Sequence, residues 1–376
     1  MSAVGQPDDI AFCDWNAGAP ASDDVLAEFL ATERRCSGNP ASPHGSGRRA
    51  RAVLEDSRQR IGDAFHVAAA DVVFTSGGTE AANLAVLGLG DAELPVLCAV
   101  VEHPAVHEPA KLRGERPLGI DRDGRVVVRD PEAPFGLLCL VHAQSELGTV
   151  QPVEEAARLA VARGVPLFVD AAQSLGRLPL LPIVAAGAVV ALSPHKCGGL
   201  RGHGVLLGHD LHRRLRPLLR GGAQELGLRP GTQSPALASA NALAILHALH
   251  EQPARAADMA RARDAFLAGL AASGVEHRVL TPLANSVPNT AMVLFARVDG
   301  RNLVPTLDLA GIHASHGSAC SSGAVSPPRI LTAIGLDDDD ARRCVRFSFG
   351  WRNDVEATRA VGARTGAVVR MRQKKI

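Results

Sequence analysis

The sequence predicts an α/β fold built on a largely parallel sheet, because short apolar runs alternate with longer amphipathic stretches along most of the chain. Strands of a buried parallel sheet are continuous apolar runs, whereas the helices that cover them are apolar on one face. The runs that fit buried strands are "VVFTSGG", "PVLCAV", "GLLCLVHA", "VPLFVD" and "AVVALS". The stretches "TEAANLAVLGLG" and "PVEEAARLAVARG" fit the helices between them. Such alternation places helices on both faces of the sheet.

The pattern changes in the second half of the chain. From about residue 233 an alanine-rich helical stretch begins, and "ARAADMARARDAFLAGLAASG" follows it. The segments "TAMVLFARV", "PPRILTAIG" and "CVRFSFG" then mix strand and helix signals. A chain of 376 residues is long enough for two domains. We therefore expect a large domain over residues 15–250 and a smaller α+β domain formed by residues 1–14 and 251–376.

The composition is that of an ordinary globular protein, with 46% hydrophobic and 21% charged residues. A formal net charge of +1 provides no broad positive field for nucleic acid or an anionic membrane. No apolar run reaches the roughly 18 residues that a membrane span needs. The acidic N-terminal segment does not have the pattern of a signal peptide, and seven cysteines without paired spacing fit a reducing compartment. We expect a cytoplasmic protein that binds neither nucleic acid nor a membrane.

One lysine has an unusual position. Only four of the 40 basic residues are lysines, namely Lys111, Lys196, Lys374 and Lys375. Lys196 lies in "ALSPHKCGGLRGHG", directly after an apolar run and before two glycines. Arginine keeps its proton in proteins, whereas lysine can lose it, and the neutral amine condenses with an aldehyde. Lys196 is therefore a candidate for a catalytic amine.

Polar residues follow several predicted strands, and the carboxyl ends of parallel strands meet at one edge of the sheet, where ligands bind. The segment "TSGGTEAANLA" places Gly78 and Thr79 at a helix start, where backbone N–H groups and the helix dipole favour a phosphate. An ordinary glycine turn before a capped helix explains these two residues equally well. The side chains that we expect to converge at this edge are those of Thr79, His103, Asp170, Gln173, Ser193, His195 and Lys196.

This set has the chemistry that pyridoxal 5'-phosphate requires. Lys196 would hold the aldehyde as a Schiff base, and Asp170 would keep the ring nitrogen protonated, so that the ring accepts electrons. A carboxylate at the end of a buried strand needs a cationic partner, and an arginine or lysine elsewhere in the chain is the alternative partner for Asp170. We predict this cofactor from the combination of residues, since each of them is common alone.

A metal site is a second interpretation of one segment. His103 and His107 are four residues apart in "VEHPAVHE", and Glu102 and Glu108 lie beside them. Two histidines at this spacing on a helix can bind one metal ion, but a third and usually a fourth ligand are needed. The sequence does not indicate these ligands, so we expect no metal.

The cysteines fall into two kinds of sequence context. Cys98 and Cys139 lie inside apolar runs and are predicted to be core residues. Cys320 lies in "ASHGSACSSGAVSPP", a stretch of small and polar residues that is typical of an exposed loop. A reactive thiolate that must reach a substrate and then leave belongs on such a loop. An unreactive loop cysteine is the alternative for Cys320.

The motifs together resemble those of a known family. The matching segments run in order from about residue 11 to 355 and are "GNPASPHGSGRRAR", "FTSGGTEAANLAV", "VEHPAV", "ELGTVQPV", "FVDAAQSLGRLPL", "LSPHKCGGLRGHGVLLG", "RPGTQ", "SVPNT", "GSACSS" and "VRFSFG". They resemble the cysteine desulfurases of the class-V aminotransferase family, which are pyridoxal-phosphate enzymes of fold type I. The "GSACSS" segment is similar to the NifS and IscS branch. The resemblance implies a mostly parallel seven-stranded sheet flanked by helices, and a smaller α+β domain that carries the cysteine loop.

The resemblance also implies a role for each matching residue. Lys196 would bind the aldehyde, His103 would stack on the ring and move protons, and Cys320 would accept sulfur. Asp170 would pair with the ring nitrogen, and Gln173 would bond the ring oxygen. The other implied cofactor-binding positions are Gly78, Thr79, Ser145, Ser193, His195 and Thr232, and the implied substrate-binding positions are Asn39 and Arg346.

The implied reaction converts L-cysteine to L-alanine and leaves sulfur as a persulfide on Cys320. An acceptor protein would then take the sulfur, in iron–sulfur cluster assembly or another sulfur-trafficking route. Thr232 would reach the phosphate site of a neighbouring subunit, which implies a homodimer. Two positions depart from the family pattern: Ser145 replaces an asparagine near the ring oxygen, and Ala223 replaces a glycine. A lyase for selenocysteine or cysteine sulfinate, and a non-catalytic sulfur-transfer scaffold, are the alternatives.

Overall fold

The computed structural model describes residues 10–317 and 328–373. The strands of these residues are β1 Ala11–Phe12, β2 Val72–Thr75, β3 Val96–Ala99, β4 Glu115–Leu118, β5 Leu137–Val141, β6 Leu167–Asp170, β7 Val189–Leu192, β8 Gly204–Leu207, β9 His277–Val279, β10 Thr290–Phe295, β11 Ile312–His313 and β12 Cys344–Ser348. The helices are α1 Asp23–Arg35, α2 Gly45–Phe65, α3 Gly78–Gly88, α4 Pro104–Leu112, α5 Val153–Arg163, α6 Leu181–Ala185, α7 Leu211–Arg214, α8 Pro235–His250, α9 Gln252–Ala272, α10 Gly300–Leu309, α11 Arg329–Ala333, α12 Asp338–Arg342 and α13 Val355–Gln373.

The largest sheet has seven strands in the order β2-β8-β7-β6-β5-β3-β4, which confirms the predicted α/β fold. Neighbouring strands from β7 through β6, β5 and β3 to β4 are parallel, and β8 runs antiparallel to both β2 and β7. The five apolar runs in the sequence correspond to β2, β3, β5, β6 and β7. The sequence did not reveal β4, an edge strand that contains two charged residues and a proline, or β8, which begins with Gly204.

The central strands are buried on both faces, because helices cover each side of the sheet. Every residue of β3, β5, β6 and β7 is buried. Successive side chains point to opposite faces; Phe168 packs into one hydrophobic cluster and Val169 into the other. Cys98 and Cys139 lie fully buried in the cluster of Phe168, which confirms that they are core residues.

A second group of elements packs around the antiparallel sheet β12-β10-β9. The helices α9 and α13 pack against each other and against this sheet. The ring of Phe266 in α9 lies 4.5 Å from that of Phe347 and 5.2 Å from that of Phe349. The N-terminal strand β1 pairs with β11 and places Cys13 in the same cluster. The exact domain boundaries given above stay a prediction.

The alanine-rich stretch forms α8, and α9 follows after a break at Glu251. Charged residues interrupt the apolar sequence of α9, and α8 is 16 residues long. Across the part of the chain that the structure describes, no helix combines the length and the apolar character that crossing a membrane requires.

Candidate active site

A cavity of about 170 Å³ lies beyond the carboxyl ends of the central parallel strands. It receives residues that follow β3, β5, β6 and β7, together with the first residues of α3. The sequence-predicted residues that line it are Gly78, Thr79, His103, Ser145, Asp170, Gln173, Ser193, His195, Lys196 and Arg346. The topology therefore brings together the strand-end residues that were expected to converge.

Two predicted residues within the described part of the chain are not part of this lining. Asn39 and Thr232 are exposed in the single chain and do not border the cavity. The side chain of Asn39 instead accepts a hydrogen bond from the backbone N–H of Ala41 at 2.9 Å. Cys320 lies outside the described residues. The roles given to these three residues stay predictions.

The first turn of α3 forms one wall of the cavity. Helix α3 begins at Gly78, and two residues connect it to the end of β2. A Cβ atom at position 78 would lie 2.3 Å from the Ser193 Oγ atom, so only glycine permits this close approach. Backbone N–H groups of the turn and the Ser193 hydroxyl therefore lie together at a helix N-terminus. This arrangement suits a phosphate group.

His103 occupies the N-cap position of α4 and also lines the cavity. Its Nδ1 atom accepts a hydrogen bond from the backbone N–H of Ala105 at 3.1 Å. An accepting Nδ1 carries no proton, so the neutral ring carries its proton on Nε2. Burial lowers the pKa of His103, the negative charge of Asp170 opposes this shift, and the positive charge of Lys196 adds to it. The ring is therefore neutral at pH 7.

Asp170 is the last residue of β6 and is 9% exposed. Its Oδ1 atom accepts a hydrogen bond from the backbone N–H of Ala172 at 2.9 Å. In the sheet, Asp170 lies between Val141 of β5 and Ala191 of β7. The carboxylate is thus held by a central strand and borders the same cavity as Lys196.

Arg346 is 1% exposed and borders the cavity. Its Nη2 atom lies 2.6 Å from Oδ1 of Asp14, and its Nη1 atom donates to the Ser145 carbonyl oxygen at 3.0 Å. The Nε–H group is buried and has no hydrogen-bond partner among the described residues. A guanidinium at this position is suited to binding an anionic ligand in the cavity.

Asn16 is a cavity residue that the sequence reasoning missed. Its Nδ2 atom donates to the Ser145 carbonyl oxygen at 3.1 Å and to Oγ1 of Thr290 at 2.8 Å. Its backbone oxygen accepts a hydrogen bond from Nε2 of Gln173 at 2.9 Å. The signal in the sequence is the polar "DWN" segment directly after the β1 strand. Asn16 therefore ties the N-terminal segment to the cavity wall.

The segment that carries Thr232 is anchored at two points. Buried Glu225 accepts hydrogen bonds from Arg58 at 2.6 Å and 2.9 Å and from the backbone N–H of Phe74 at 2.8 Å. Arg229 forms an ion pair with Glu80 in the first turn of α3, with 2.7 Å between Nε and Oε1. Glu225 has a φ of 49°, which is unusual for a residue with a side chain. These contacts hold the exposed loop beside the cavity wall.

The residues present fit pyridoxal 5'-phosphate. The first turn of α3 and the Ser193 hydroxyl supply donors for a phosphate, Asp170 supplies a carboxylate for a ring nitrogen, and Lys196 supplies an amine for an aldehyde. A Cβ atom at position 78 would collide with the Ser193 hydroxyl and displace it from this cradle. Fold and cavity together define a pyridoxal-phosphate-dependent enzyme.

The Aminotransferase class-V family model matches residues 11–361. The chain therefore belongs to the class-V aminotransferase family, which confirms the predicted family and the predicted cofactor. The IscS cysteine desulfurase of Dictyoglomus turgidum is 31% identical over 355 residues, which cover 90% of this chain and 89% of that protein. The NifS cysteine desulfurase of Azotobacter vinelandii is 32% identical over 353 residues, which cover 90% of this chain and 87% of that protein.

Solved structures give the same result for the fold. A NifS-like protein has a TM-score of 0.85 at 27% identity, covering 96% of this chain and 100% of that chain. The structure of SspA in complex with cysteine has a TM-score of 0.74 at 26% identity, covering 90% of this chain and 98% of that chain. The predicted fold type is therefore confirmed.

Proposed function

We propose that this chain is a pyridoxal-phosphate-dependent cysteine desulfurase that converts L-cysteine to L-alanine and passes the sulfur on. The observation that carries the proposal is the convergence of Lys196, His103, Asp170 and Arg346 on one cavity. The similarity to cysteine desulfurases over about nine-tenths of the chain supports the same activity. A similar protein, SspA, binds cysteine, which supports this amino acid as the substrate.

The cofactor, when bound, withdraws electrons from the substrate carbon skeleton and so weakens the bonds that must break. Lys196 would hold the aldehyde carbon, and Asp170 would keep the ring nitrogen protonated. The backbone of Gly78 and Thr79 holds the phosphate, and the side chains of Ser193 and His195 complete this site. Ser145 and Gln173 border the region of the ring oxygen, where Ser145 has a shorter side chain than the asparagine of the family pattern.

His103 and Arg346 act on the substrate. His103 would stack beside the ring and help to move protons; because its Nδ1 atom accepts the backbone N–H of Ala105, its Nε2–H group is left to donate a hydrogen bond to a ligand. Arg346 binds the substrate carboxylate, while Asp14 and the Ser145 carbonyl oxygen hold the guanidinium in place. Asn39 is assigned a further contact with the substrate.

Cys320 accepts the sulfur. Its thiolate attacks the sulfur atom of L-cysteine, a new S–S bond forms, and the C–S bond of the substrate breaks. The electron pair of that bond remains on the carbon, which takes up a proton and becomes the methyl group of L-alanine. The thiol of Cys320 thereby becomes a persulfide, and no external oxidant is needed. Its place in a glycine- and serine-rich segment supports a thiol that carries sulfur away from the cavity.

The functional unit in this proposal is a cytoplasmic homodimer that delivers sulfur to an acceptor protein. Thr232 is exposed in the single chain, and its segment is anchored to α3 through Arg229 and Glu80. These contacts support a role for Thr232 at the phosphate site of a second subunit. An iron–sulfur scaffold or a sulfur carrier is the acceptor.

The experiment is to measure sulfide and alanine release from L-cysteine in the presence of a reductant. We expect equal amounts of both products from the unaltered chain, and neither product from Lys196→Ala or Cys320→Ala. Lys111→Ala is the matched lysine control, since Lys111 lies in an exposed ion pair with Glu108. Unabated sulfide release from Cys320→Ala would overturn the persulfide route, and turnover of only selenocysteine or cysteine sulfinate would favour the related lyases. A chain without bound cofactor or turnover would be a scaffold.

A further inference from the structure

Three chemically different metal-binding groups meet on the face of the large sheet that α4 covers. Cys98 lies in β3, His107 in α4 and Glu115 in β4, so a single β3–α4–β4 unit supplies all three. The Cys98 Sγ atom, a ring nitrogen of His107 and a carboxylate oxygen of Glu115 lie within 4.8 Å of one another. No step of the proposed desulfurase reaction uses these residues.

The sequence suggested a different partner for His107. It paired His107 with His103 and indicated no further ligand, but His103 lines the cofactor cavity. His107 instead contacts Glu115, with 2.7 Å between Nδ1 and Oε1. Strand pairing aligns Val96 of β3 with Glu115 of β4, and Cys98 lies two residues further along on the same face as Val96. The chain topology therefore supplies the missing ligands.

Neighbouring side chains shield this cluster from solvent. Cys98 is 0% exposed, and the side chains of His107 and Glu115 are 10% and 13% exposed. Because little water reaches the three ligand atoms, their electrostatic attraction for a cation is weakly screened.

We propose that Cys98, His107 and Glu115 form a structural zinc site. A thiolate, an imidazole and a carboxylate are zinc ligands, whereas magnesium and calcium prefer oxygen ligands alone. One thiolate and one carboxylate balance the charge of Zn²⁺, and the neutral imidazole adds none, so the loaded site carries no net charge. A neutral site avoids the cost of burying a charge. Loading releases the thiol proton of Cys98 to solvent.

The dimensions of the cluster suit such an ion. An ion between three atoms that are at most 4.8 Å apart lies within about 2.8 Å of each, and zinc bonds are about 2.0–2.3 Å long. Side-chain shifts of less than about 1 Å therefore complete the coordination. The Glu115 side chain is 13% exposed, so a water molecule can take the fourth position on that side.

A zinc ion at this site would affect helix α4. This helix begins after His103, whose Nδ1 atom caps it, and His107 lies one turn further along. Zinc would tie this turn to β3 and β4 and thereby restrict the movement of the cap residue. The inference does not depend on the proposed desulfurase activity.

The test is the zinc content of the cofactor-loaded protein, purified from cells grown with added zinc. All variants carry Cys320→Ala, so that the loop thiol cannot bind the metal. We expect about one zinc per chain in this parent, and background content in Cys98→Ser and His107→Gln. Cys139→Ser is the matched control and should keep its zinc, because Cys139 is equally buried, lies opposite Cys98 in the neighbouring strand and is outside the cluster.

Background zinc in the parent protein would overturn the proposal, and so would zinc that persists in Cys98→Ser. If the ligand variants do not fold, cobalt replaces zinc in the parent protein. A tetrahedral cobalt–thiolate spectrum would then support the site, and its absence would overturn it. Loss of zinc in Cys139→Ser to the same extent as in Cys98→Ser would also count against this ligand set.

Discussion

Arg346 and Asp14 form a partly buried ion pair beside the cofactor cavity, with 2.6 Å between Nη2 and Oδ1. The contact joins β12 to the segment after β1, 332 residues away in the sequence. It occupies one nitrogen of the guanidinium and fixes the plane of the group, while the Nε–H group keeps no partner among the described residues. Asp14 thereby orients Arg346 for a ligand.

The first prediction concerns this orientation. Arg346→Lys keeps the positive charge but loses the planar fork, so one charge-assisted hydrogen bond to the substrate carboxylate is lost. Such a bond is worth roughly 1.5–3 kcal/mol, which corresponds to a fall in kcat/KM of about 10–100-fold. Steady-state kinetics with L-cysteine measure this change. Arg343→Lys, in a half-exposed pair with Asp340, is the control, and equal kinetics for both variants would contradict the assignment.

The second prediction concerns the phosphate cradle. Gly78→Ala would place a methyl group 2.3 Å from the Ser193 Oγ atom, so we expect a large loss of cofactor affinity with the fold intact. Gly77→Ala is the matched control, because a Cβ atom there meets nothing within 4 Å. Titration of the cofactor-free proteins with pyridoxal phosphate, followed by absorbance, measures the affinity. Equal affinity in the two variants would show that the phosphate lies elsewhere.

The third prediction concerns stability at acidic pH. Burial lowers the pKa of His203 from 6.5 to about 4, so the unfolded chain binds the proton more readily than the folded chain. The stability contribution of the neutral ring is present above pH 6.5 and is lost as the pH falls from 6.5 towards 4. For this nearly fully buried group the loss between pH 7.5 and 5 amounts to about 2 kcal/mol.

Urea unfolding at about pH 7.5 and about pH 5 measures this loss of stability. We expect His203→Leu to be less sensitive to acid than the unaltered protein by about that amount. The ring packs against Phe74, and its Nδ1 atom has no hydrogen-bond partner in the described part of the chain, so an apolar side chain is tolerated. His250→Leu, at an exposed position, should keep the full acid sensitivity. If both variants respond alike to acid, His203 is not the group responsible.

The fourth prediction concerns the anchor of the Thr232 segment. Glu225→Ala removes the buried carboxylate partner of Arg58, which retains an ion pair with the exposed Glu55 at 3.0 Å, and should lower the free energy of unfolding by about 3 kcal/mol. Arg58→Met combined with Glu225→Leu leaves no unpaired buried charge, and we expect it to be clearly more stable than Glu225→Ala. Denaturant unfolding of the three proteins gives the comparison. A double variant less stable than the single one would contradict this account of the ion pair.

Local sequence signals were sufficient for the central strands and most of the cavity. Lys196, His103 and Asp170 each follow an apolar run, and parallel strands that end at one edge must bring such residues together. The strand β4 was missed because an edge position tolerates charge and proline, which weakens the apolar pattern. Patterns along the chain therefore predict the sheet centre better than its borders.

Contacts between distant segments could not be predicted in the same way. Asn16 reaches Thr290 across 274 positions, and Arg58 reaches Glu225 across 167. Each of these residues looks like an ordinary polar residue until the fold places its partner beside it. His107 is a similar case, because its neighbour Glu115 lies on the edge strand that the apolar pattern did not reveal.

A single turnover without reductant tests most directly whether Cys320 accepts the sulfur of L-cysteine. The cofactor-loaded protein is mixed with L-cysteine, alanine is quantified, and the peptide that contains Cys320 is analysed by mass spectrometry. We expect one equivalent of alanine per active chain and a Cys320 peptide that is heavier by one sulfur atom. Alanine formed without added sulfur on Cys320, or a different amino-acid product, would contradict this prediction.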